Sequence, residues 1–266
     1  MRDIKEKLLM LPGLAGFLLF SLVPFGMTVI YAFIRTPFDF SFIGFDNIVK
    51  TVRNDYFRMA LGHTVVFTMV SVSLTMLLSL TLTFLYARSG ITFHAPLMLP
   101  VLLPTVAVAL IWKVLFGQGS LLYNIGLGPL TSLYTLFIWK NAGLYVIILL
   151  SALSQVSRET LEAAAIDGAG LFRRFRWIIL PELAPTILFV CIYAVMNSFR
   201  VFREAYLLYG AFPDTSVFMA QHYIYNQFAK LRYPEVASAG LIYAVPVVFL
   251  VAVLFCHQEQ AEENRV

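Results

Sequence analysis

Six runs of mainly apolar residues dominate the chain, near Leu8 to Ile34, Ala60 to Ala87, Ala95 to Phe116, Thr131 to Leu153, Pro185 to Tyr209 and Ala237 to Cys256. At about 1.5 Å per helical residue, each is long enough to cross roughly 30 Å of hydrocarbon. A backbone in hydrocarbon has no water to bond, so it must satisfy its own N–H and C=O groups. The runs therefore predict six α-helical spans in an all-α, polytopic transmembrane helix bundle. Composition agrees: 60% of the 266 residues are apolar or aromatic, 13% are charged, and the mean hydropathy is +0.81. That is too little charge to cover a soluble domain of this size. Residues 1–266 read as a single transmembrane domain.

The same composition argues against several function classes. A net charge of +4 spread over so few ionisable residues reports how loops sit against the membrane, and nucleic acid is not an expected partner. Cys191 and Cys256 lie inside apolar runs, away from any metal-ligand spacing, and read as packing residues. His63, His94, His222 and His257 are scattered, and no Gly-x-Ser-x-Gly is present. No catalytic residue and no metal site is expected. The chain also has no Gly-x-x-x-x-Gly-Lys to cradle phosphate, so any nucleotide it depends on must be held by a partner. The first run follows "MRDIKEK"; it exceeds a usual signal core, no small-x-small cleavage pattern follows, and it is expected to remain as an anchor.

Lys and Arg in the short loops set the orientation. With the N-terminus inside, the inner side holds Arg2, Lys5, Lys7, Arg88, Arg158, Arg173, Arg174, Arg176 and Arg265. The outer loops then hold Arg35, Lys50, Arg53, Arg58, Lys230 and Arg232. The bias favours cytoplasmic N- and C-termini, because "GQGSLLYNIGLGPL" has no Lys or Arg whereas residues 154–184 carry four.

That orientation makes residues 154–184 an inner loop, and its sequence "EAAAIDGAGLFRRFRWIILP" from Glu162 is its most informative part. Ser157 is a candidate N-cap, Glu159 suits the positive end of a helix dipole, and "TLEAAAI" is rich in helix formers. A short helix is expected, ending at "DGAG", where Gly168 and Gly170 allow a sharp turn and Asp167 can bond locally. Pro181 is expected to restart a helix toward the next span. The small side chains of Ala163, Ala164, Ala165 and Ala169 let another protein approach the backbone; the alternative is a loop that packs only against its own bundle.

Glu162, Ala163, Ala164, Asp167, Gly168 and Ala169, with Phe175 and Pro181 downstream, resemble the EAA loop of ATP-binding-cassette importer permeases. "PGLAGFLLFSLVPFGMTVIYAF", "FIGFDNIVK", "ALGHTVVFT" and "LPVLLPTVAVALIWKVLFGQGSLLYNIGL" resemble further parts of the sugar-type (maltose- or glycerol-phosphate-like) branch, so the resemblance covers nearly the whole chain. The ending "CHQEQAEENRV" lacks a glycine-rich tail and is similar to the first permease of the usual pair rather than the second. The resemblance implies a type I importer permease fold in a bacterial or archaeal plasma membrane. It also implies a second permease subunit, two cytoplasmic ATPase subunits that bind ATP and Mg, and an extracytoplasmic solute-binding protein. Glu162, Ala163, Ala164, Asp167, Gly168, Ala169 and Gly170 would form the coupling helix that docks on the ATPase, and the solute would be a carbohydrate. Two departures stand out. The first outer loop, residues 35–59, is short, and "SFRVFREAYLLYGAFP" has Arg203 and Glu204 where relatives often show an acidic then an aliphatic residue.

Ionisable groups inside spans usually face a partner or a water-filled cavity. Lys113 lies near the end of its run and can snorkel. Lys140, beside Trp139 and Asn141, is left open between a deep position and the interface. Arg200, Arg203 and Glu204 stand at i, i+3 and i+4, on one helical face. They read either as an internal ion pair or, with Asn197, Phe199 and Tyr206, as part of the solute path. Arg and Glu can bond sugar hydroxyls while rings stack on sugar faces. Pro96, Pro100 and Pro104 predict a kinked or extended start to the third span. In "PDTSVFMAQHYIYNQFAKLRYPEVASAG", Asp214, Thr215 or Ser216 is expected to cap a helix over "VFMAQHYIYNQF", at the interface or beside the passage. The rival readings are a permease for an amino acid, phosphate or ion, a stand-alone secondary transporter, which would want mid-membrane carboxylates, and an intramembrane enzyme, which would want a His, Asp or Ser constellation.

Overall fold

The computed structural model describes residues 12–89, 95–117 and 119–263. Arg2, Lys5, Lys7 and Arg265, the start of the first run at Leu8, and His94 lie outside the described residues. The elements are α1 (Pro12–Phe33), α2 (Asp46–Arg53), α3 (Asp55–Ser89), α4 (Ala95–Leu102), α5 (Thr105–Phe116), α6 (Leu121–Asn124), α7 (Pro129–Leu153), α8 (Arg158–Ile166), α9 (Leu171–Tyr209), α10 (Ala220–Ala229) and α11 (Tyr233–Glu263). Among the described residues no strand forms, only an isolated antiparallel bridge between Ile34 and Phe42.

α1, α3, α7, α9 and α11 are each long and apolar enough to span a membrane, whereas α4 and α5 pass that test only together, bent by 102°. The expected third run from Ala95 to Phe116 is therefore broken, and at its middle rather than its start. Pro104 lacks an N–H, and its ring disfavours helical backbone at Leu103, which lies in a bend between the two helices. Pro104 becomes the extended N-cap of α5, with φ −58° and ψ 132°.

The fifth span corrects one expectation. Helix begins at Leu171, not Pro185, and α9 runs for 39 residues; Pro181 stands in the first turn of the α-helical geometry that resumes at Leu180. A π turn over Phe175–Ile179 precedes the proline, with the Leu180 N–H reaching back to the Phe175 carbonyl. The same device precedes Pro24 in α1, where the Val23 N–H bonds Leu18 across the π turn Leu18–Leu22. A proline ring crowds the carbonyl four residues back, and a wider turn just ahead of it relieves the ladder. α9 also tightens after Ser198: the Arg200 and Val201 amides bond Asn197 and Ser198, at 3.0 and 3.3 Å. These three-residue steps tighten the helix just before Arg203 and Glu204, and Arg200, Arg203 and Glu204 still line one cavity.

The chain packs as two compact units, the described residues up to Gly62 with Met219–Pro246, and His63–Phe218 with the described residues from Val247. In the first, Asn47 closes the end of α1: its Nδ2 donates to the carbonyls of Ala32 and Ile34 at 3.2 and 2.8 Å. Phe57 packs on Tyr223, Lys50 pairs with Glu235 at 3.4 Å, and Tyr233 meets Tyr31 and Phe228. The helix expected over "VFMAQHYIYNQF" starts late, at Ala220. Asp214, which belongs to the second unit, instead caps a single 3-10 turn, Thr215–Val217, by accepting from the Ser216 amide at 2.9 Å. His222 is fully buried, and its Nδ1 accepts from the Met219 amide at 3.1 Å. Burial pushes the imidazole's pKa down to about 4.

In the second unit, Thr64, Thr68, Ser71, Thr75, Ser79 and Thr83 recur every turn of α3 and are all buried. Three of these hydroxyls bond within the helix, Ser71 to Thr68, Thr75 to Ser71 and Thr83 to Ser79, at 3.4, 2.6 and 2.7 Å. Ser79 instead donates to the Ala142 carbonyl of α7, and Ser198 of α9 donates to Thr68. Small hydroxyl side chains let apolar helices approach closely without stranding polar groups. Phe67 lies against Tyr134 and Phe137 of α7, with centroids 5.0 and 5.8 Å away. α4 crosses α7 at Gly143, where a Cβ would stand 1.8 Å from the Leu97 carbonyl oxygen.

Candidate functional site

The loop helix α8 is closed at both ends by its own sequence. Ser157 Oγ accepts from the Thr160 amide at 3.2 Å. At the other end the Gly168 amide bonds Ala165 and the Ala169 amide bonds Ala164, at 3.1 and 2.9 Å. This is a Schellman closure, and it needs the left-handed residue that Gly168 supplies at φ +78°. Asp167 joins the turn through its backbone amide, bonded to Ala163 at 3.0 Å. Gly170 does not provide the expected bend: its φ of −62° is open to any residue.

Two contacts tie this corner to its surroundings. Arg174 Nη1 donates to the Leu161 carbonyl at 3.5 Å, and Phe175 meets Phe84 edge-on at 4.5 Å. Glu162, Ala163, Ala165, Asp167 and Gly168 are exposed, while Ala164 and Ala169 are half-buried. Ile166 and Phe172 are 87% and 79% exposed. Large apolar side chains set among alanines on a polar loop mark a surface built for contact.

A polar cavity of about 250 Å³ opens in the same unit. The break between α4 and α5 forms one wall through Val101, Leu103 and Thr105, α7 a second through Leu136, Phe137, Lys140, Asn141 and Leu144, and α9 a third through Tyr193, Asn197, Arg200, Val201, Arg203 and Glu204. Non-helical backbone within a span is tolerated where protein buries it or it lines such a cavity, which accounts for the place of the break.

Lys140, left open by the sequence, sits near the middle of α7. Its Nζ pairs with Glu204 Oε1 at 2.5 Å and lies 3.4 Å from Thr105 Oγ1. Arg203 Nη2 approaches the same carboxylate oxygen at 3.5 Å, and the Glu204 side chain is only 7% exposed. Asn197 Nδ2 donates to Asn141 Oδ1 at 3.4 Å and to the Tyr145 hydroxyl at 3.5 Å. Of the expected path residues, Asn197, Arg200, Arg203 and Glu204 line the cavity. Phe199 is buried, and Tyr206 lies beside Phe202 at 5.6 Å; neither lines it. Sequence reasoning missed Thr105, Asn141 and Tyr193. The available signal was "WKNAG", a cation and an amide in mid-run beside a glycine. Lys113 is exposed in the last turn of α5.

Long apolar helices, one broken span walling a charged cavity, and a capped loop helix held out from the bundle define a membrane transport subunit. The chain belongs to the family of binding-protein-dependent transport system inner membrane components, which matches residues 95–262 and so includes the cavity and the loop helix. It is similar to the arabinooligosaccharides transport system permease protein AraP of Bacillus subtilis, 28% identical across 91% of this chain and 83% of that protein. It is also 28% identical to the sn-glycerol-3-phosphate transport system permease protein UgpA of Yersinia pestis, across 93% of this chain and 92% of that one. Its fold is similar to that in the crystal structure of a bacterial ABC transporter involved in the import of the acidic polysaccharide alginate. There the TM-score is 0.79 at 23% identity, over 97% of this chain and 96% of that one. The chain is thus a multi-pass permease subunit of the plasma membrane in an ABC importer.

Proposed function

We propose that this subunit forms part of a carbohydrate path and couples it to ATP hydrolysis in partner chains through α8. The observation that carries the reading is α8 itself: an exposed helix that ends on the uncovered Ile166, beside the uncovered Phe172 at the start of α9, and is tied by Arg174 to the root of α9. α9 continues from that corner to Asn197, Arg203 and Glu204 at the cavity. A cytoplasmic ATPase that grips α8 therefore acts on the cavity wall through one long helix. ATP and Mg bound by two such ATPases supply the difference in binding energy between inward- and outward-open states. A second permease subunit completes the path, an extracytoplasmic solute-binding protein delivers the solute, and both termini lie in the cytoplasm. Relatives named for arabino-oligosaccharides, diacetylchitobiose and glycerol phosphate support a carbohydrate or sugar-like solute.

Glu162 and Asp167 supply polar contacts to the ATPase, Ala163, Ala164 and Ala169 allow close approach, and Gly168 sets the bend beside Gly170. The test is co-purification of the chain with candidate ATPase subunits, wild type against Ile166→Asp and Gly168→Pro. Ile166→Asp removes an apolar contact of about 2 kcal/mol, so ATPase retention should fall at least about tenfold. Gly168→Pro forbids the left-handed turn and should abolish solute-stimulated hydrolysis. Full retention and stimulation in both variants would place the ATPase contact elsewhere.

A further inference from the structure

We infer that the cavity between α7, α9 and the α4–α5 break takes an anionic solute, a saccharide bearing a carboxylate or phosphate, with Arg200 and Arg203 as the residues that hold the charge. The inference rests on the carbohydrate path proposed above and narrows its substrate class. Three cations, Lys140, Arg200 and Arg203, line the cavity against one carboxylate, Glu204. That carboxylate is already engaged, by Lys140 at 2.5 Å and by Arg203 at 3.5 Å. Arg200 makes no ion pair among the described residues. The lining therefore carries two positive charges beyond what its own acid neutralises. Arg200 and Arg203 are exposed where they line the cavity, so their forks are open to an anionic group on a solute that enters it.

The residue types fit that ligand. A guanidinium presents a planar fork that matches carboxylate and phosphate oxygens in pairs, which a neutral hydroxyl matches less well. Glu204 then acts as a positioning residue: buried, it anchors Lys140 and holds Arg203 near the cavity while the Arg203 side chain stays 67% exposed. Asn197 and Asn141 add neutral donors and acceptors suited to sugar hydroxyls. A neutral saccharide would bring no charge to Arg200, which makes no ion pair among the described residues.

The experiment uses the assembled importer, this chain with its partner permease, ATPases and binding protein, in phosphatidylcholine vesicles. ATP-driven uptake is compared for two probes, cellobiouronate and cellobiose, which differ by one carboxylate. The uronate should be taken up at least about tenfold faster, Arg200→Gln should cut that preference about tenfold, and Arg200→Lys should restore part of it. Because the binding protein is unchanged, a shift caused by Arg200→Gln belongs to the cavity. Equal uptake of the two probes, or a preference untouched by Arg200→Gln, overturns the anion inference and leaves the carbohydrate path standing. ATP-driven uptake of neither probe overturns both. If the Arg200→Gln effect appears only when phosphatidylglycerol is added, the arginine serves a lipid headgroup and the inference falls.

Discussion

Lys140 and Glu204 show what a single residue costs in an apolar setting. Their side chains are 17% and 7% exposed, so removing Lys140 leaves the buried carboxylate only the longer contact to Arg203 at 3.5 Å. Breaking a buried pair on one side costs about 3–5 kcal/mol, whereas replacing both partners with apolar side chains is often neutral. Lys140→Met should therefore lower stability by about 3 kcal/mol, and Lys140→Met with Glu204→Met should recover most of it, as read from thermal unfolding of the purified chain. The sequence offered Lys140 and Glu204 as separate problems, 64 positions apart. Neither hydropathy nor helical spacing can pair groups on different helices. Arg200, Arg203 and Glu204, read as one face, line one cavity even though the helix tightens to three-residue steps between Ser198 and Val201.

At the scale of elements, close approach decides more than propensity. Gly143 has no substitute where α7 meets α4, because an added Cβ would collide with the backbone oxygen of Leu97 at 1.8 Å. Backbone cannot yield as a flexible side chain can, so Gly143→Ala should destabilise by about 1–3 kcal/mol through overpacking. The same change at Gly62, which has open space around it, should cost nothing measurable; paired melting curves of the two variants check this. The hydroxyl seam of α3 belongs to the same scale. Its period was visible in "TVVFTMVSVSLTMLLSLTLT", but only the packing of α7 and α9 shows that this face is buried. The caps of α8, by contrast, were legible residue by residue, since Ser157 and Gly168 act within one turn of where they stand.

For the molecule as a whole, one buried imidazole links stability to pH. The His222 pKa is pushed from its ordinary 6.5 down to about 4. Between those values the unfolded chain binds a proton that the folded chain refuses, so stability rises with pH through that window. The contribution is fully present above about pH 6.5 and is lost progressively as pH falls toward 4, by up to about 3 kcal/mol. Unfolding midpoints measured from pH 7 to 4.5 should fall accordingly. His222→Asn, which keeps an acceptor for the Met219 amide, should flatten the slope.

By itself the sequence determined the helical class, the approximate spans, the loop helix with its N-cap and glycine end, and the family likeness carried by "EAAAIDGAG". These depend on hydropathy and on hydrogen bonds that reach three to five residues along the chain. Tertiary structure decided the 102° break after Leu102, the crossing at Gly143, the partner of Lys140, and which of Asn197, Phe199, Arg200, Arg203, Glu204 and Tyr206 line the cavity. Each of these is set by a contact between helices far apart in sequence, where one charge, one missing N–H or one absent Cβ outweighs the local preference of the residues around it.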